Sequence, residues 1–114
     1  MEQTAERKSF SFAVRIVKLC KYLAEGKTEF ILSKQLLRSG TSIGANVVEA
    51  QQAQSRADFI SKLCIALKEA SETDYWLRLL HATDYLSDTE YTSIIGDCQE
   101  LEKMLTSIIK SSKS

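Results

Sequence analysis

The sequence predicts an all-α protein: an antiparallel up-down-up-down four-helix bundle. Three observations carry that reading. The 114 residues include no proline, so no residue breaks a helical hydrogen-bond ladder for lack of an amide proton. Apolar residues recur at steps of three and four in successive segments, and no segment alternates with the period of a strand. Glycine, or a serine or threonine suited to capping, marks the gaps between the segments. A mass of 12.8 kDa suits one domain over residues 1–114 with a single core.

The first stripe is Phe12, Ile16, Leu19 and Leu23, on a helix expected over about 10–25 and ended by Gly26 as a left-handed cap. Thr28 is the expected N-cap of the second helix, over about 29–54, with Glu29 in its first turn. Its core stripe is Leu36, Gly40, Ile43, Val47 and Ala50. Ser55 and Asp58 fit a capping box that opens a third helix over about 56–86, and Ser87 with Glu90 repeats the pattern for a fourth over about 88–111. In that last helix Tyr91, Ile94, Cys98, Leu101, Leu105 and Ile108 form a bundle seam.

The second and third helices are more apolar than one buried face needs. Beside its main seam (Phe59, Leu63, Ala66, Ala70, Leu77, Leu80) the third carries Ile60, Cys64, Leu67, Trp76 and Leu79. The second adds Leu37, Gly44 and Val48 to its stripe. Left wet, such rows form a patch that a monomer seldom exposes, so self-association is the expected outcome. Burial of Leu37, Val48 and Trp76 within one protomer would remove that expectation.

Composition narrows the function classes. Fifteen basic residues balance fifteen acidic ones, which argues against a general nucleic-acid coat. No apolar run approaches the roughly 20 residues of a membrane span. The opening Met1–Glu6 stretch holds two acids and no apolar block, unlike a secretory signal; a cytoplasmic protein is expected. Cys20, Cys64 and Cys98 lie far apart among apolar neighbours, and with a single histidine they do not complete a zinc pattern. All three are expected to be buried.

Charge is unevenly spread. Residues 1–57 carry nine Lys/Arg and five Asp/Glu, a balance of +4; residues 58–114 carry six and ten, a balance of −4. Arg15, Lys18 and Lys21 on one helix, with Lys34 and Arg38 on the next, make a candidate basic patch for nucleic acid or an acidic partner. The opposite-signed halves could equally attract each other.

The run Arg38-Ser39-Gly40-Thr41-Ser42-Ile43-Gly44-Ala45-Asn46 is unusual inside a helix, where each glycine costs about 1 kcal/mol relative to alanine. Close helix approach at Gly40 and Gly44 would offset that cost. The run lacks the Gly-Lys-Ser/Thr ending and the preceding strand of a phosphate loop. On the side away from the Leu36 stripe Arg38, Ser42, Ala45 and Glu49 line up with Asn46 beside them, either a solvated face or a narrow polar contact surface. Arg38 could reach a glutamate of the third helix, where Glu69, Glu72 and Trp76 form a row. Leu37, Arg38, Gly40, Ser42, Gly44, Asn46, Val48, Glu49, Glu72 and Trp76 are therefore the candidate helix–helix or oligomer contacts.

No catalytic constellation emerges. Arg78 occupies the position three before His81, so the Glu-x-x-His motif of carboxylate-bundle metal sites is absent, and Glu69 with Glu72 alone does not define a metal site. No base is visibly placed beside a nucleophile. No catalytic residue, metal or cofactor is expected.

The strings Phe12–Leu19, Gln35–Ala50, Asp58–Leu63, Ile65–Ala70 and Glu72–Leu77 resemble the four-helix-bundle proteins encoded in 23S rRNA intervening sequences, a bacterial family. The resemblance covers roughly residues 10–86 and implies a bundle assembled into a ring, typically a homopentamer. The family is related to the accessory variability determinant proteins of diversity-generating retroelements, which bind nucleic acid and a reverse transcriptase through strongly basic surfaces. This chain departs from them in its zero net charge and in Asp97, Glu100 and Glu102 of its fourth helix. The expected function is a non-catalytic oligomeric scaffold holding a protein or RNA partner. The alternative is a direct nucleic-acid-binding accessory protein, acting with a reverse transcriptase or in rRNA processing.

Overall fold

The computed structural model describes residues 4–114. Met1, Glu2 and Gln3, part of the stretch read above as unlike a secretory signal, lie outside the described residues. Four helices follow one another: α1 (Ala5–Gly26), α2 (Leu32–Gln51), α3 (Arg56–Ala82) and α4 (Asp88–Lys113). No strand occurs among the described residues. Each helix packs on its sequence neighbour, and α1 also meets α4, giving a bundle 44 × 25 × 21 Å across.

The core is built from the stripes the spacing predicts. Phe12, Ile16 and Leu23 of α1, Leu36, Ile43 and Val47 of α2, Leu63 and Leu77 of α3, and Ile94, Leu101 and Leu105 of α4 are all buried. Leu19, Phe59, Trp76 and Ile108 pack half-buried at its margin.

Helix ends depart from the expected positions for local reasons. α1 begins at Ala5 rather than near residue 10, because the Thr4 side chain accepts the Arg7 amide at 3.1 Å. Gly26 is the last helical residue and not a left-handed cap; Thr28 takes that conformation, with φ 50°. Thr28 therefore does not cap α2. The cap is Glu29, which precedes the helix and turns its carboxylate onto the amides of Ile31, Leu32 and Ser33 at 3.1, 3.0 and 2.7 Å. Those amides have no intrahelical partner, and the negative charge opposes the positive end of the helix dipole.

α2 ends at Gln51 and α3 at Ala82, both short of expectation. After α3, Asp84 is left-handed (φ 69°), and the amides of Tyr85 and Leu86 return to Leu80 O at 2.9 and 3.3 Å. This reversal drops Leu86 into the core from outside the helix. Ser87 and Glu90 make the reciprocal capping box of α4. At the start of α3, Ser55 accepts the Asp58 amide, but the Asp58 carboxylate takes the amide of Gln54 rather than that of Ser55.

Close approach falls at one glycine of the pair. A Cβ on Gly40 would sit 2.8 Å from Ile16 Cγ2, whereas a Cβ on Gly44 would meet Ser9 at 3.4 Å, ordinary contact. Ile16 is fully buried and has nowhere to retreat. Gly40→Ala should therefore destabilise the protein by about 1–3 kcal/mol through overpacking. Gly44→Ala should be neutral or gain up to about 1 kcal/mol of helix propensity. Urea denaturation of the two variants checks the difference.

Candidate interaction surfaces

The candidate contact residues divide between two edges of α2. Toward α3 lies a polar network. Arg38 pairs with Glu69 at 3.2 Å and also binds Glu72, and Trp76 Nε1 donates to the same Glu72 carboxylate at 3.0 Å. The indole donor and the guanidinium hold the Glu72 carboxyl below its ordinary value, and hydrogen bonds to Glu69 and Glu72 raise that of Arg38. Further along, Glu49 meets Lys62 at 3.1 Å. Beneath, the hydroxyls of Ser39 and Thr73 meet at 2.9 Å in the buried seam. Ser42 and Asn46 satisfy themselves along α2, donating to Arg38 O and Ser42 O. The expected pairing of Arg38 with a glutamate of the third helix is thus present within one chain.

Toward α1, α2 forms the edge of an apolar groove. At one end lie Phe10 and Ala13 of α1 with Thr41, Gly44, Ala45 and Val48 of α2. Val17 and Ala24 line the other end with Phe30 and Leu37, flanked by Lys21 and Lys34. Phe10 is 70% exposed, Val48 50% and Leu37 39%, while Trp76 is half-buried against the core. The excess apolar surface of α3 is partly absorbed, since Ile60 and Leu67 also pack on the core. The wettest apolar row includes α1 residues the helix-two and helix-three reading passed over. Phe10, Ala13 and Val17 share the three-and-four spacing one position off the Phe12 stripe, and that signal was available in the sequence.

The five candidate cations are not gathered on one surface. Arg15 pairs with Asp97 of α4 at 2.6 Å and donates to Ser93, and Lys18 lines the α1–α4 side. Lys21 and Lys34 line the α1–α2 groove, whereas Arg38 faces α3. Lys8 also reaches Asp97 and Glu100. The oppositely charged halves of the sequence therefore attract each other across the bundle.

Among the cysteines, Cys20 and Cys98 are buried but Cys64 is exposed, because it lies on the outward side of α3, one residue past buried Leu63. Burial pushes the Cys20 thiol up to about 11 and raises that of Cys98 as well, which suppresses thiolate chemistry at both. His81 stacks on Tyr91 with ring centroids 4.2 Å apart, and its Nε2 lies 2.7 Å from Asp88. Asp74, Cys98 and Glu102 bring three potential ligand atoms within 4.8 Å of one another. Arg78 engages Asp74 at 3.0 Å, and Cys98 Sγ lies 3.4 Å from Ala70 O.

The α2–α3 network generates a specific expectation. Glu69 Oε1 is buried with no hydrogen-bond partner among the described residues, so removing Arg38 leaves the whole carboxylate poorly satisfied. Arg38→Met should cost about 1–2 kcal/mol, more than a solvated surface pair. Adding Glu69→Gln should return part of that loss in a urea-denaturation cycle at pH 7. Glu72 contributes at neutral pH, and its share disappears as acid protonates it through its lowered folded value.

The family model for 23S rRNA-intervening sequence protein matches residues 1–107. A crystal structure of a protein of unknown function from the S23 ribosomal protein family of Bacteroides thetaiotaomicron VPI-5482 is 61% identical, with a TM-score of 0.93. The similarity covers 94% of this chain and 99% of that one. No curated protein matches. With its four helices, the chain belongs to the 23S rRNA-intervening sequence protein family.

Proposed function

We propose that this protein is a non-catalytic, homo-oligomeric scaffold, an antiparallel up-down-up-down bundle whose copies dock through the α1–α2 groove. The observation that carries this reading is the apolar groove edged by Phe10, Val17, Leu37 and Val48, four exposed large hydrophobics on one side of the bundle. Its occupant is a second copy: small residues (Ala13, Gly44, Ala45) between larger ones leave hollows into which a neighbouring helix can set its side chains. The short connections 27–31, 52–55 and 83–87 support the antiparallel order. A ring, pentameric by family resemblance, closes the assembly. An exposed, unpaired Cys64 supports a reducing bacterial cytoplasm as its compartment.

The scaffold would hold RNA or an RNA-processing protein, as the family's tie to 23S rRNA intervening sequences suggests. Engagement of Arg15 and Arg38 within the chain favours this over direct nucleic-acid binding through the five-cation patch. His81 engaged by Tyr91 and Asp88, and the raised buried thiols, support a non-catalytic role.

Light scattering at micromolar concentration should give a multiple of 12.8 kDa. Leu37→Glu with Val48→Glu should reduce it to the monomer mass while the helical circular dichroism persists. A monomeric wild-type protein, or an unchanged mass in the double variant, overturns the reading. RNA gel shifts at two salt concentrations, with Arg15, Lys18, Lys21, Lys34 and Arg38 changed to Gln, address the alternative; binding that is steeply salt-dependent and lost in that variant would favour it.

A further inference from the structure

Asp74 of α3 and Glu102 of α4 bring two carboxyl groups together at the seam between these helices. Their oxygens and Cys98 Sγ lie within 4.8 Å of one another. Asp74 is largely shielded, its side chain 15% exposed, and it pairs with Arg78 at 3.0 Å. Cys98 Sγ lies 3.4 Å from Ala70 O, across the same seam, and 3.9 Å from Glu102 Oε1. On the far side of α4 the α1 cations Lys8 and Arg15 engage Asp97 and Glu100. Lys103 and Lys110 share with Glu102 the open groove beyond the pair. Arg78, paired with Asp74, offsets one of the two negative charges in this seam.

Two ionised carboxylates so placed repel each other, while one proton between them makes a hydrogen bond that spans the seam. We propose that Asp74 and Glu102 form a proton-sharing clasp that fastens α3 to α4 and loosens when that proton is lost. It is separate from the α1–α2 groove and does not rest on the assembly proposed above. Burial first, and then hydrogen bonding and repulsion from Asp74, push the Glu102 carboxyl up from its ordinary 4.5 to about 7.

The sign of the pH effect follows. The folded state holds a proton that the unfolded chain has released, so the clasp contributes fully below about 4.5 and is lost as pH rises through about 7. Between those values the folding constant falls by up to about tenfold per pH unit.

The test uses the full chain. Carbon-13 titration of glutamate carboxyls should place the Glu102 midpoint near 7, and Asp74→Asn should lower it. The melting temperature of the wild type should fall from pH 5 to pH 8; Glu102→Gln, which mimics the protonated acid, should flatten that slope and melt higher at pH 8. His81→Gln removes the sole histidine, the other side chain that ordinarily titrates in this window, and should leave the slope in place. A Glu102 midpoint at its ordinary value overturns the proposal, as does a slope that survives Glu102→Gln or vanishes with His81→Gln. Should Glu102→Gln fail to fold, the carboxyl titration of the wild type decides alone.

Discussion

Ile16 occupies the space that a side chain at position 40 would need, its Cγ2 only 2.8 Å from where a Gly40 Cβ would stand. That contact sets how near α1 and α2 can come. With Ile16 seated over bare backbone, the two helices share a buried seam that also takes Phe12, Leu36 and Ile43. Residues flanking this seam cannot also turn inward. Phe10 and Val17 on α1, and Leu37 and Val48 on α2, remain on the outer edges, and the groove between them follows. One helix can bury one stripe of about 100° in a bundle of this kind; α1 and α2 each carry a second, so the surplus faces water or a partner.

Charge is disposed differently. The basic first half and acidic second half invite a reading in terms of an outside partner. Within the bundle they meet one another: Lys8 and Arg15 reach α4, Arg38 reaches α3, and Lys62 returns the favour to Glu49. Each bridge spans two helices, which makes it a fastening of packed elements before it is a binding surface. Apolar packing draws the helices together, and these half-exposed pairs select the mutual rotation in which they fit, a modest contribution each. Arg38 bridging two glutamates, one of which also receives the Trp76 indole, is the most developed case.

Much of the architecture was legible because its causes are local. The stripe from Leu36 to Ala50 could be read as buried because residues three and four apart share a helix face. Ser87 and Glu90 could be read as a cap because the two hydrogen bonds lie within one turn. Reading failed where the backbone left the helix for reasons beyond one turn. Glu29 was placed inside α2, but its carboxylate caps the helix from outside. Leu86 was placed inside α3, but a left-handed Asp84 swings it into the core. The candidate contacts divide between two settings. Gly40, Arg38 and Glu72 serve packing within the chain, while Leu37, Gly44 and Val48 edge the groove.

The number of helices, their buried stripes and the serine caps of α3 and α4 were determined by the sequence alone, since each depends on residues within a few positions of one another. Tertiary structure alone decided which apolar rows stay wet, which cations are engaged, and that Asp74 meets Glu102 beside Cys98. Those outcomes depend on the rotation and offset of one helix against another. Many side chains fix these jointly, so no local spacing encodes them.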